Sequence, residues 1–395
     1  MRTAGSHLTY CTNIHAGESW AEVRANIETH VLAVKRRVCP ERDFGVGLRL
    51  SARAGRELAR PAELERFKDF LAAHGLYVFT INGFPYGPFH GEPVKEAVYR
   101  PDWSEDARTL YTAELAHVLS ELLPAGQSGS ISTVPGGFKS ALTGADRLAA
   151  VARQLLASAE ALHRIERERG QHIVLALEPE PCCLLETSDE VVAFFRDHLL
   201  SSSARAELAQ RLGVDHAAAE AVVYRHLGVC LDTCHAAVEF EGPQAAVNAL
   251  LGAGLNIAKV QLSAGLRLPE LSPDALRALG AYVEPVYLHQ VVARTKEGAL
   301  LRYVDLPDAL ASSEALAAEE WRVHFHVPLY RERLERFVNT QPFLSSILEL
   351  QRRAPFSEQL EVETYTWDVL PPEQRSGGVV ASIARELDWV REQLV

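Results

Sequence analysis

Along nearly the whole chain, short apolar runs that end in polar residues alternate with stretches of helical periodicity. Strands alternating with helices form a parallel sheet, because each crossover lays a helix on a sheet face. The strand-like runs are 8–14, 44–51, 76–84, 129–137, 172–179, 228–234, 256–263 and 360–367. Helical patterns lie at 19–38, 61–75, about 105–123, from Leu148 through Ile165, and at 188–225, about 244–252 and about 379–394. In the first of these, Trp20, Val23, Ile27, Val31, Val34 and Val38 share one face, and Ser19 and Glu22 have capping-box spacing. Gly75 and Gly170 are placed to end helices. Eight strand–helix units without a Gly-rich first turn predict a (β/α)8 TIM barrel rather than a dinucleotide-binding sheet. The run "GVGLRL" (45–50) lacks the third glycine and the helix start of that fingerprint.

The regularity breaks after the seventh run. Residues 287–307 read as a hairpin across a Gly-containing turn, and 321–329 reads as a strand pairing with it. The expectation is a single domain over 1–395, with an insertion at about 283–330 before the last barrel strand. The aromatic loop 85–103 is too long for a connector and has the character of an active-site lid.

The net charge of −12 argues against sequence-independent nucleic-acid binding, which rests on Lys and Arg contacts to phosphates. The N-terminal stretch has no apolar h-region, and no run approaches about 18 apolar residues. A cytoplasmic protein not embedded in a membrane is therefore expected. Cys11, Cys39, Cys182, Cys183, Cys230 and Cys234 lack zinc-ribbon spacing and read as reduced, mostly buried thiols. A homo-oligomer stays open.

Chemistry in such barrels sits where strands end, and side-chain alternation tells which residues face inward. In "HIVLALEPEP" (172–181), Ala176, Glu178 and Glu180 share a face; in "GVCLDTCHAAVEF" (228–240), Cys230, Asp232 and Cys234 do. Lys259, Gln261 and Ser263 share a face on the seventh run, and Glu361, Glu363, Tyr365 and Trp367 on the last. Carboxylates converging on a buried mouth need positive compensation. A divalent cation (Mn, Mg, Co or Zn) would supply it, and so would a buried ion pair with Lys259 or an arginine.

The motifs "LALEPEP" and "LDTCHAAVEF" resemble those of the xylose-isomerase-like barrels, in particular their ketose 3-epimerases and sugar isomerases. The resemblance implies metal ligation by Glu178, Asp232 and Glu363, and substrate contact by His235 and Arg267. The family's seventh-strand histidine ligand falls at Gln261, a neutral and weaker ligand, with His326 or His324 of "HFHVP" as the alternative nitrogen. A closer resemblance is to the EboE family of metabolite traffic proteins, carried by "YCTNIHAGESW", "FPYGPFHG" and "VETYTWDVLP". It implies a place in secondary-metabolite processing or export.

These residues point to a metal-dependent isomerase or epimerase of a sugar, cyclitol or related polyol. Glu178 and Glu363 would exchange the proton, and His15, Phe84, Tyr86, His90 and Trp103 would join His235 and Arg267 around the substrate. A metabolite-binding or escort protein on the same barrel stays open, as does a metal-dependent phosphoesterase or hydrolase.

Overall fold

The computed structural model describes residues 1–334, 336–372, 375 and 377–395. Eight parallel strands form the central sheet: β1 (Ser6–Tyr10), β2 (Phe44–Arg49), β3 (Leu76–Asn82), β4 (Gly129–Thr133), β5 (Ile173–Leu177), β6 (Leu227–Asp232), β7 (Ile257–Leu262) and β8 (Gln359–Val362). A short strand, Arg2–Thr3, pairs antiparallel with β1. β8 lies between β1 and β7, and the remaining strands continue in sequence order back to β2. The two ends of that row meet. Cys11 forms a parallel bridge with Gly47, and the Thr9 hydroxyl donates to the Gly45 carbonyl at 2.6 Å. This bridge and the Thr9 contact nearly close the sheet into a barrel.

Gly47 is what lets that seam close. A Cβ there would overlap the Glu361 carboxylate and come within 2.6 Å of the Tyr10 carbonyl oxygen. Glu361 has nowhere to retreat, since it is fully buried and pairs with Lys259 at 2.5 Å inside the barrel. Overpacking a rigid core typically costs about 1–3 kcal/mol. Gly47→Ala is expected to lower unfolding free energy by at least that much in urea titration. A change within about 0.5 kcal/mol, the ordinary scatter of surface substitutions, would mean that the seam is open.

The helices match the sequence pattern with local refinements. The first is capped by the reciprocal Ser19–Glu22 box and runs as Trp20–Asn26, a π-turn at Ile27–Val31, and Leu32–Val38. Pro61–His74 ends at Gly75, whose φ of 59° is a left-handed cap. Asp106–Leu122, Ala145–Arg169, Pro243–Gly252 and Val379–Leu394 cover further strands. The 188–225 pattern resolves into Ser188–Phe194, Ser202–Leu212 and His216–His226, with a π-turn at Phe195–Leu199 after the first of them. Helices without a counterpart in the sequence pattern also appear, Ala52–Leu58 and Pro273–Leu279 among them, and Gln341–Arg353 precedes β8. No helix among the described residues is long and apolar enough to cross a membrane.

Between β7 and β8 the chain builds a second, antiparallel sheet of six short strands. Val291–Arg294 and Leu300–Tyr303 form a hairpin, and Glu320–Val323 pairs with the first of these. Leu266–Leu268 then joins Glu320–Val323 to Phe337–Asn339. This sheet spans 266–339, wider than the expected 283–330. Its strand Leu266–Leu268 leaves β7 almost at once and anchors the insertion beside the barrel mouth.

Candidate active site

Two strand ends differ from the alternation reading, and both differences shape the site. β6 stops at Asp232 because this residue turns to cap the helix Thr233–Val238. Its Oδ1 accepts from the Cys234 N–H at 2.7 Å, the His235 N–H at 3.0 Å and the Ser263 hydroxyl at 2.6 Å. Cys234 is therefore helical and not strand-borne. β8 stops at Val362, and a 3-10 turn at Tyr365–Val369 comes after it. Tyr365 consequently folds over the mouth, while Trp367 packs into the core.

Glu178, Asp232 and Glu363 converge at the mouth, with one oxygen of each within 4.8 Å of the others. All three side chains are buried. Glu178 Oε2 and Asp232 Oδ2 have no hydrogen-bond partner among the described residues. The lysine that would neutralise them in the ion-pair reading is engaged elsewhere: Lys259 Nζ pairs with Glu361 and donates to the Ser132 hydroxyl at 3.2 Å. Glu363 Oε1 accepts from Asn13 at 2.7 Å and from Asn82 at 3.2 Å, which fixes the carboxylate plane. Burial, reinforced by the negative charges of Glu363 and Asp232, pushes the Glu178 carboxyl well above the usual range. Glu363 is raised well above it for the same reason, with Asp232 and Glu361 adding repulsion. Burial also pushes Asp232 up. The nearby His235 and His326 and the hydrogen bonds to Oδ1 outweigh that, and it is held below its ordinary value.

An imidazole group completes the site. His235 Nδ1 lies 2.9 Å from the Pro179 carbonyl and His326 Nδ1 lies 2.8 Å from the Glu363 carbonyl. His324 Nδ1 lies 2.7 Å from Gln290 Oε1. One ligating atom from each of Asp232, His235 and His326 falls within a second 4.8 Å cluster. Burial depresses the His326 imidazolium to about 4 and drives that of His324 well below its ordinary value. Glu180 takes the Tyr99 hydroxyl at 2.6 Å, and burial raises its carboxyl.

The roof is aromatic. Phe89 and Val94 of the aromatic loop 85–103 pack on Tyr287, and Phe89 lies 5.3 Å from the Tyr365 ring. Lys95 latches the two segments together, donating to the Tyr287 carbonyl at 2.6 Å and pairing with Asp305 at 2.7 Å. The cavity beneath is lined by Glu178, Glu180, His235, His324, Glu363 and Tyr365 among others.

Of the residues expected from sequence, the structure brings together Glu178, Asp232, Glu363, His235, His326 and Phe84. It does not bring Arg267 there. The Leu266–Leu268 strand belongs to the second sheet, and Arg267 is held in a bidentate pair by Glu320 at 2.7 and 3.1 Å. Gln261 is buried, and its Oε1, the atom that would ligate a cation, accepts from the Cys230 thiol at 2.7 Å. Trp103 is fully buried core, donating to the Thr133 hydroxyl at 3.2 Å. His15 stacks on His30 at 4.2 Å and meets the Tyr10 hydroxyl at 3.0 Å. Tyr86 packs edge-on against Tyr111 and faces an outer crevice of the aromatic loop. His90 packs edge-on to Phe89 and does not line the cavity. The sequence reading missed Asn13, Asn82, Tyr99 and Gln290. The first two were within reach of the alternation rule, since Asn13 continues the Thr9–Cys11 face and Asn82 the Thr80 face.

Fold and site together define an α/β barrel with a buried carboxylate and imidazole cluster at its strand ends. No protein-family model and no curated protein matches the chain. Among solved structures, the chain is similar to the probable 3-DHS dehydratase AsbF of Bacillus anthracis, at 14% identity over 97% of both chains with a TM-score of 0.49. It is also similar to an L-ribulose 3-epimerase, at 13% identity over 98% of this chain and 94% of that one with a TM-score of 0.47. A xylose isomerase domain protein from Planctomyces limnophilus matches at 13% identity over 88% of both chains with a TM-score of 0.47. The barrel assignment rests on the strand pairing of this chain itself.

Proposed function

We propose that this protein is a divalent-metal-dependent isomerase or epimerase acting on a sugar, cyclitol or related polyol. The observation that carries the reading is the buried triad of Glu178, Asp232 and Glu363, with orphaned oxygens on the first two and its only barrel lysine among the described residues paired elsewhere. Such a donor set fits a hard cation (Mn, Mg, Co or Zn), held by the three carboxylates. When bound, the ion would polarise the substrate carbonyl and adjacent hydroxyl as a Lewis acid.

The chain's own groups do the proton chemistry. One of Glu178 and Glu363 removes the proton from the carbon beside the carbonyl, giving an enediolate; the other returns a proton. Burial and the neighbouring carboxylates raise the proton affinity of both carboxyls. Asn13 and Asn82 keep one Glu363 oxygen fixed, so that the second is aimed. His235 and Phe84 face the substrate, and the lid and Tyr365 exclude water from the carbanionic intermediate. The stretches that resemble the EboE family are what supports the finer reading that the substrate belongs to secondary-metabolite processing or export. The imidazole-rich side of the site favours a second reading, a metal-dependent phosphoesterase or hydrolase. Solvent-deuterium incorporation into a ketose is expected of the first reading and not of the second.

The direct test is metal content by mass spectrometry, on protein purified without chelator. At least one divalent ion per chain is expected in the wild type. The Glu178→Gln/Asp232→Asn variant is expected to have lost the ion of the carboxylate triad. A folded wild-type protein that refuses added Mn²⁺ or Zn²⁺ sinks the mechanism.

A further inference from the structure

Three imidazoles meet nitrogen to nitrogen at the edge of this site. His235 Nε2 lies 3.1 Å from His324 Nε2, which lies 3.3 Å from His326 Nε2. The other ring nitrogens determine what these atoms are. Nδ1 of His235 and of His326 each face a backbone carbonyl, so each must carry a hydrogen. Nδ1 of His324 faces Gln290 Oε1. That amide is not reversible, because Gln290 Nε2 faces the Tyr99 hydroxyl at 2.8 Å, the Pro181 carbonyl at 3.2 Å and Glu180 Oε1 at 3.3 Å. With every Nδ1 donating, the neutral rings leave the His324 Nε2 lone pair facing those of His235 and His326. The Tyr365 hydroxyl lies 3.4 Å from His324 Nε2, a long contact that serves one nitrogen of the three.

Lone pairs do not cluster in a buried place without something positive between them. Zinc–imidazole bonds of about 2.1 Å put neighbouring nitrogens about 3.0–3.4 Å apart, for right-angled to tetrahedral arrangements. The two spacings here, 3.1 and 3.3 Å, fall in that interval. All three rings are buried, and the unpartnered Asp232 Oδ2 belongs to a carboxylate that clusters with both His235 and His326. Each ring is also oriented by a fixed acceptor behind it, which is how ligating histidines are held.

We propose that His235, His324 and His326 form a second cation position, selective for a borderline ion such as Zn²⁺, adjoining the carboxylate position and sharing Asp232 with it. His324 and His326 come from the chain leaving the inserted Glu320–Val323 strand, so this position is a product of the second sheet and not of the barrel strands. A substrate oxygen would then meet His235 through the ion. The proposal stands independently of the isomerase reading, which needs only the carboxylate position. The rival account of the same geometry is a proton, with one ring held as imidazolium.

The test uses full-length protein stripped with chelator and dialysed against Zn²⁺ alone, with bound zinc counted by mass spectrometry and folding tracked by circular dichroism. Two ions per wild-type chain are expected, falling to one in His324→Gln and to one in Glu178→Gln/Glu363→Gln. X-ray absorption at the zinc edge of the wild type should show imidazole scattering, a readout that stands even if a variant fails to fold. One wild-type ion that His324→Gln leaves in place, without imidazole scattering, overturns the second position while the carboxylate reading survives. One ion lost in His324→Gln but kept in the double glutamine variant supports the imidazole position and removes the carboxylate one. No zinc in folded wild type overturns both.

Discussion

Glu363→Gln is expected to lower turnover by about 10²–10⁴-fold, the usual worth of a positioned acid or base. The readout is deuterium wash-in from D₂O at the carbon beside the carbonyl, monitored by NMR over a panel of ketoses and cyclitol ketones that the wild type exchanges. Glutamine keeps the shape of the side chain, and its amide oxygen can still accept from Asn13 and Asn82 at the places where they now contact Oε1. What is removed is a buried carboxyl whose affinity for protons is raised by burial and by Asp232 and Glu361. Because Glu363 also belongs to the ligand triad, bound metal is counted in the same samples at saturating Mn²⁺. Loss of exchange with metal retained assigns the proton role. Asn82→Ala, which leaves the carboxylate present but loosens one anchor, should cost much less, about tenfold or below, mainly in kcat. Exchange within tenfold of wild type in Glu363→Gln would remove this residue from the proton path.

The parts of this molecule that are legible in its sequence are those with a local period. The parallel strands are buried on both faces and read as apolar runs, and the helices around them show a 3.6-residue stripe, so the barrel is visible without partners. Glu178 and Asp232 stand out because a carboxylate at the end of such a run violates the pattern. The second sheet is harder. Its strands are two to four residues long, and what makes Leu266–Leu268 a strand is its pairing with Glu320–Val323, more than fifty residues away. Nothing in "GLRLP" encodes that partner, so Arg267 reads as a residue of the mouth when Glu320 holds it elsewhere. His324 and His326 show the same dependence. Their spacing marks one face of an extended segment, but only the pairing of Glu320–Val323 with Leu266–Leu268 brings that face to His235. Strand ends mislead for a different reason: a residue at the end of a strand is free to cap the next helix, as Asp232 does for Thr233–Val238.

Stripping the metal is expected to destabilise the protein most at alkaline pH. Glu178 and Glu363 have folded-state values raised above the unfolded 4.5, so above that pH the stripped folded protein holds more protons than the unfolded chain. Stability of the stripped protein must then fall as pH climbs from about 4.5 up to those raised folded values. Asp232, whose value is lowered, acts with the opposite sign and only below about 3.8, outside that window. A cation bound only to the folded state reverses the penalty by replacing the protons. At about a thousand times its Kd it would add about 4 kcal/mol, and less at acid pH, where protons compete for the same oxygens. The melting temperature gained on adding Mn²⁺ should therefore be small at pH 5.5 and amount to several degrees at pH 8. Glu239, Glu241 and Glu386, each raised by burial to about 7, impose a downward slope of their own on every form of the protein. The decisive comparison is consequently with Glu178→Gln/Glu363→Gln, whose stripped form should lose less stability between pH 5.5 and 8 than the stripped wild type, and whose Mn²⁺ gain should vanish. Equal slopes in the two proteins would show that the triad is neutralised by something already in the chain, and the argument for a cation at Glu178, Asp232 and Glu363 would fall with them.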